Sequence, residues 1–107
     1  MDFIILQKGD AASTMKEFEE AFYVAVFEKV ERGKWLARGR AYKDFRIGDS
    51  LFAKSSYNDM IQFEVISMTT YRREITEFYS GLTGNITLVS SHSEVPVMVT
   101  MLFRAID

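Results

Sequence analysis

The sequence predicts an all-β fold, a small closed β-barrel with a short helix near its N-terminus. Three observations carry this. The stretch from Gly33 to Leu51 reads as strand, tight corner, strand. Short runs rich in β-branched and aromatic residues recur along the chain, separated by Gly, Asn, Asp and Ser clusters. Within the longest runs apolar residues alternate with a period of two, which suits a strand buried on one face.

Phe3–Leu6 is a four-residue apolar run before Gly9-Asp10 and predicts a short strand. Thr14 followed by Glu17 has the spacing of a capping box, which starts a helix near Met15. Met15, Phe18, Ala21, Phe22, Ala25 and Val26 then keep helical spacing. The same residues also alternate as a strand, and their β-branched and aromatic content favours it. The reading adopted is a helix over 14–19 and a strand over 21–30, with a single helix over 14–31 as its alternative.

In residues 34–42, Trp35, Ala37, Gly39 and Ala41 alternate with Leu36, Arg38, Arg40 and Tyr42. One large ring beside small residues suits a tapered interior. Gly39 inside a strand marks a bend or a close backbone approach. Lys43-Asp44 supplies turn chemistry, and Gly48 can take a positive φ at the next corner. Residues 51–54 form a short strand, and Ser55–Asp59 a turn cluster. Residues 60–70 form a strand with Ile61, Phe63 and Val65 on one face. The phase then shifts to Ile66 and Met68, which places a bulge near Val65 or Ile66. Tyr71–Tyr79 has no clean period and reads as a connection with local turns, and Gly81–Asn85 as a turn. Ile86–Val89 is a strand, Ser90–Glu94 a polar loop, and Val95–Phe103 the longest strand, with Pro96 at its start or on an edge because it cannot donate a ladder bond.

The 107 residues make one domain, with residues 1–20 as an N-terminal extension and 21–107 as the barrel. Hydrophobic content of 48% and charged content of 26% are ordinary for a soluble globular chain. Cysteine is absent, which removes disulfides, thiolate metal sites and cysteine nucleophiles together and fits a reducing compartment. Asp2 stands where a signal peptide wants a base, and the apolar run after it is too short for a membrane span. The expectation is a cytoplasmic protein without membrane contact. A formal charge of −2 gives no overall field toward nucleic acid.

The landmarks Gly39-Arg40, Ile47-Gly48-Asp49-Ser50-Leu51, Tyr71-Arg72-Arg73, Ile75, and Gly81 with Ile86 and Leu88 fall in a suggestive order. Over residues 20–107 they resemble the second domain of translational GTPases, the elongation factor Tu type of β-barrel. That family has a Gly-Arg-Val strand, a Val-Gly-Asp corner, an aromatic-basic arch and a Gly turn before the next strand. The resemblance implies a six-stranded Greek-key closed barrel, here standing alone without the GTPase domain. Gly39 and Arg40 match the Gly-Arg step, Gly48 and Asp49 the corner, and Tyr71, Arg72 and Arg73 the arch. In tRNA-carrying members a Glu just before the arch helps form the pocket for the terminal adenosine. Thr69 stands at that position here, and the glycine-bearing turn near Asp44 is shortened. The Thr69 departure argues against aminoacyl-tRNA binding. No Gly-x-x-x-x-Gly-Lys-Ser/Thr loop exists, so no GTP site is expected.

The residues show no motif for chemistry. His92 is the single histidine, in a polar loop with Glu94 its nearest carboxylate, and a solvated residue is the simpler reading than a metal ligand. Its serine neighbours do not make a triad, which is built from distant segments. Glu17, Glu19, Glu20, Glu28 and Glu31 read as a solvated acidic face rather than as paired catalytic carboxylates. The basic set Lys34, Arg38, Arg40, Lys43 and Arg46 is more informative. Lys34, Arg38 and Arg40 share parity along one strand, between Trp35 and Tyr42, and Arg72 and Arg73 adjoin Tyr71. Such interleaving can hold phosphates and stack bases. An outer face kept soluble and guarded against edge pairing is the simpler reading.

The expected function is therefore a non-catalytic binding or adaptor module, with no metal and no cofactor. Its partner is another protein or a second copy, met through a barrel edge or the Tyr71–Arg73 arch. The candidate contact residues are Lys34, Arg38, Arg40, Tyr71, Arg72 and Arg73. Two alternatives remain: an RNA- or ribosome-binding barrel in translation, and a small-ligand carrier or enzyme with a site at the barrel mouth.

Overall fold

The computed structural model describes residues 2–6, 15–55, 59–91, 95–96 and 98–106. Their regular structure is entirely β. The strands are β1 (Asp2–Leu6), β2 (Met15–Glu31), β3 (Lys34–Ala41), β4 (Phe45–Arg46), β5 (Ser50–Lys54), β6 (Met60–Thr70), β7 (Arg73–Ile75), β8 (Glu77–Phe78), β9 (Thr83–Val89) and β10 (Met101–Ile106). Eight belong to one antiparallel sheet, in the order β1-β2-β10-β5-β6-β9-β3 with β7 on β6. A further pairing of β2 with β3 closes β2, β3, β9, β6, β5 and β10 into a ring of six strands. β4 and β8 form a separate two-stranded ribbon.

The interior follows from alternation. Trp35, Ala37 and Ala41 point inward from β3, and Ile61, Phe63 and Val65 from β6, all buried. The register of β6 against β9 slips between Val65 and Ser67, so Met68 returns to the interior where unbroken alternation would leave it outside. Two aromatic clusters fill the ends of the ring. Phe63 meets Trp35 edge-to-face at 5.6 Å and Phe27 at 6.1 Å, with the Lys29 ammonium 5.9 Å from the Trp35 ring. At the other end Phe45 and Phe78, carried on the β4–β8 ribbon, stack at 5.5 Å and meet Phe22 edge-on.

Two glycines let backbones touch. A Cβ on Gly39 would overlap the Tyr23 carbonyl oxygen and lie 2.8 Å from its carbon. One on Gly84 would overlap the Thr69 carbonyl oxygen. These residues face each other across β3 and β9, so the ring is drawn tight there. Gly84 therefore belongs to strand β9, which corrects the turn expected over 81–85. The turn itself is made by Gly81, with φ +96°.

The helix expected over 14–19, and its alternative over 14–31, are replaced by strand β2. Thr14 and Gly9-Asp10 lie outside the described residues. The helical spacing has a physical origin. The registers of β2 slip at Ala21 against β10 and at Ala25 against β3, and each slip inserts one extra residue. The adjacent apolar pairs Ala21-Phe22 and Ala25-Val26 are bulges, and two bulges four residues apart imitate a helical face. Pairing on both sides of residues 17–19, by β1 and β10, fixes the extended form.

The strand expected over 95–103 is also corrected. Pairing begins at Met101 and runs to Ile106, against Tyr23 back to Glu17. The partner strand selects this stretch over the more β-branched Val95–Val99. Val99 is buried outside any strand, Val95 packs on the core, and Val97 lies outside the described residues. Ser56–Asn58 of the expected turn and His92–Glu94 of the polar loop lie outside them too.

Candidate binding surfaces

The outward residues of β3 form rows with their neighbours. Lys34 faces Glu31 and Val89, Arg38 faces Val26 and Asn85, and Arg40 faces Tyr23 and Thr83. Lys34 and Arg40 thus stand at opposite ends of the strand, about 20 Å apart. The Lys34 ammonium lies 2.8 Å from a Glu31 carboxylate oxygen. That hydrogen bond lowers the Glu31 pKa below its ordinary value. Arg38 Nε donates to Asn85 Oδ1 at 2.9 Å, and Asn85 Nδ2 donates to Thr69 Oγ1 at 3.4 Å. Arg40 is exposed beside Tyr23, whose side is 45% exposed. The three bases share a face, yet Lys34 and Arg38 are engaged by their own neighbours.

The arch is the connection between β6 and β7. Thr70 pairs with Arg73, so Tyr71 and Arg72 form a two-residue turn. Their φ angles are +51° and +67°. Positive φ at both central positions is the type I′ pattern that Asn-Gly adopts readily, and each left-handed non-glycine residue costs about 1–2 kcal/mol. The turn is anchored below. Met68 and Ile75 pair beneath it, Met68 being buried and Ile75 packed on the core. Thr70 Oγ1 donates to Thr83 O at 2.7 Å. Tyr71 above is 86% exposed. Because Thr83 faces Arg40, the arch and Arg40 lie at the same end of the ring with β9 between them.

A cleft of about 590 Å³ opens at this end, between β5 and β10, lined by Glu19, Phe45, Asp49, Leu51, Arg104 and Ile106. Its charges are committed. Glu19 accepts from Arg104 Nε and lies 3.4 Å from the Lys43 ammonium, and Arg104 also donates to Asp44 O at 2.8 Å. The Arg104 hydrogen bond holds the Glu19 carboxyl below its ordinary pKa. Asp49 Oδ2 accepts the Arg46 N–H at 2.9 Å. Tyr79, nearby on the surface, is pushed up by the Glu77 carboxylate. The Glu19–Arg104 pair joins residues 85 positions apart and has no local signal. Tyr71-Arg72-Arg73 is visible as an aromatic-basic run, but its left-handed backbone is not.

Among the described residues no three of His, Cys, Asp and Glu converge as a metal set, and no helix is long and apolar enough to cross a membrane. No protein-family model matches this chain, and neither does any curated protein or solved structure.

Proposed function

We propose that this chain is a non-catalytic binding module that docks a protein partner through the Tyr71–Arg73 arch. One observation carries the reading. An exposed tip holds Tyr71 and Arg72 in left-handed conformations that glycine or asparagine would adopt at lower cost. Tyr and Arg are the side chains that dominate binding hot spots, and a short hairpin on a packed base presents them with little entropy left to lose. The supporting fold reading is a six-stranded Greek-key barrel of the elongation factor Tu domain 2 type. Around the ring β10 lies beside β5, which is followed by β6 and β9, and this neighbour order supports that reading.

The test is affinity capture with the wild-type chain and with Tyr71→Ala and Arg72→Ala, with and without nuclease. A protein retained by the wild type, insensitive to nuclease and lost in both variants, supports docking at the arch. Equal retention by all three removes it.

Arg40 beside Tyr23, at the arch end of the ring, favours a second reading as an RNA- or ribosome-binding barrel in translation. It predicts nuclease-sensitive capture and retention on RNA that weakens steeply with salt.

A further inference from the structure

β1 closes one end of the sheet order and, among the described residues, pairs with β2 alone. No described strand covers its other edge, whose backbone donors and acceptors can take one. The remaining open edges among the described residues are guarded by charge. β7 carries Arg73 and Glu74, the β4–β8 ribbon carries Arg46 and Glu77, the open stretch of β10 begins at Arg104, and β5 ends at Lys54. β1 reads Asp-Phe-Ile-Ile-Leu, with its single charge at the terminal position. By the rules that keep natural edges unpaired, β1 is the one left to be covered.

We infer that β1 pairs antiparallel with β1 of a second copy, joining two chains into a symmetric dimer across a continuous sheet. The strand is self-complementary. Centred on Ile4, the pairing sets Ile4 against Ile4, Phe3 against Ile5 and Asp2 against Leu6. The two Asp2 residues then fall at opposite ends, about 13 Å apart and beyond the screening length at physiological salt. An identical edge on each partner is what a two-fold interface requires. A formal charge of −2 sets little repulsion between copies. This surface is separate from the arch, and its test does not depend on it.

Sedimentation velocity on the full chain, from about 5 to about 200 µM, is expected to show a concentration-dependent dimer, weak because one strand pair buries less than a standard interface. Ile4 lies opposite Glu17 on β2, so Ile4→Lys gains an opposite-charge neighbour within the chain while placing like charges together at the two-fold axis. It is expected to raise the dissociation constant at least about tenfold. Mixing it with the double variant Ile4→Glu/Glu17→Lys, which keeps the charge pair within each chain, is expected to restore association as a heterodimer. A wild type that stays monomeric throughout, an Ile4→Lys chain that dimerises as the wild type does, or a mixture that fails to associate would each overturn the inference.

Discussion

Gly39 and Gly84 determine how closely the ring can be drawn. Each occupies a site where a Cβ would meet a backbone carbonyl rather than a side chain that could swing aside. Gly39→Ala should therefore force β2 and β3 apart and cost about 3 kcal/mol, the upper range for overpacking a core. Thermal unfolding of the variant should show a midpoint lower by roughly 10 °C or more. Gly48, with φ +95° and open space around it, depends on backbone conformation instead. The arch makes the opposite point. Replacing Tyr71-Arg72 with Asn-Gly should stabilise the chain by about 1–2 kcal/mol, because those residues suit a type I′ turn. The same double variant should lose the captured partner. A more stable protein that binds less separates a surface kept for recognition from one kept for folding. An Asn-Gly variant no more stable than the wild type would remove the strain on which the functional reading rests.

Elements differ in how far their sequence reveals them. β3 is legible residue by residue, because it alternates without a break and both its partners run along it. The bulge in β6 is legible as well, since the apolar phase itself moves there. β2 is not, because bulges at Ala21 and Ala25 give a strand the spacing of a helix. β10 is hidden for another reason. Its limits are set by where β2 offers an edge, and Val95–Val99 has the stronger local preference. Within the candidate site, the tripeptide Tyr71-Arg72-Arg73 can be read from composition. Glu31 stands three residues from Lys34 in the chain, whereas the engagement of Arg38 needs Asn85, a partner that only pairing supplies. The same holds for Glu19, which ties β2 to β10 through Arg104 and to the β3–β4 connection through Lys43. Its pKa is lowered from an ordinary 4.5, mainly by the Arg104 hydrogen bond. The stabilisation is then complete above 4.5 and lost as pH falls through the lower folded value. Water reaches Arg104, whose side chain is 39% exposed, so the loss should be no more than about 1 kcal/mol. Denaturant unfolding of wild type and Glu19→Gln should differ at pH 6, and the difference should shrink as pH falls below 4.5. Parallel curves across that range would show that the pair contributes nothing.

At the scale of the whole molecule, the ring is closed unevenly. β3 and β9 are paired on both sides along their lengths, and β2 is held by β1, β3 and β10 together. Among the described residues β5 and β10 pair at one position, Phe103 opposite Phe52, and the cleft lined by Glu19 and Arg104 opens beside it. The aromatic plugs do not mend this seam. Trp35 and Phe63 pack from β3 and β6, and Phe45 and Phe78 from the β4–β8 ribbon. Local opening follows the places where backbone bonds are fewest, so the ring should part at β5–β10 before any other pair. Hydrogen exchange read by mass spectrometry should show peptides covering Ser50–Lys54 and Met101–Ile106 exchanging well ahead of those covering Lys34–Ala41 and Thr83–Val89. Phe52→Ala should widen that gap, because it removes the ring that meets Phe18 at 5.1 Å on the outside of the seam. Uniform protection around all six strands would mean that side-chain packing, and not the strand ladder, decides where this sheet opens.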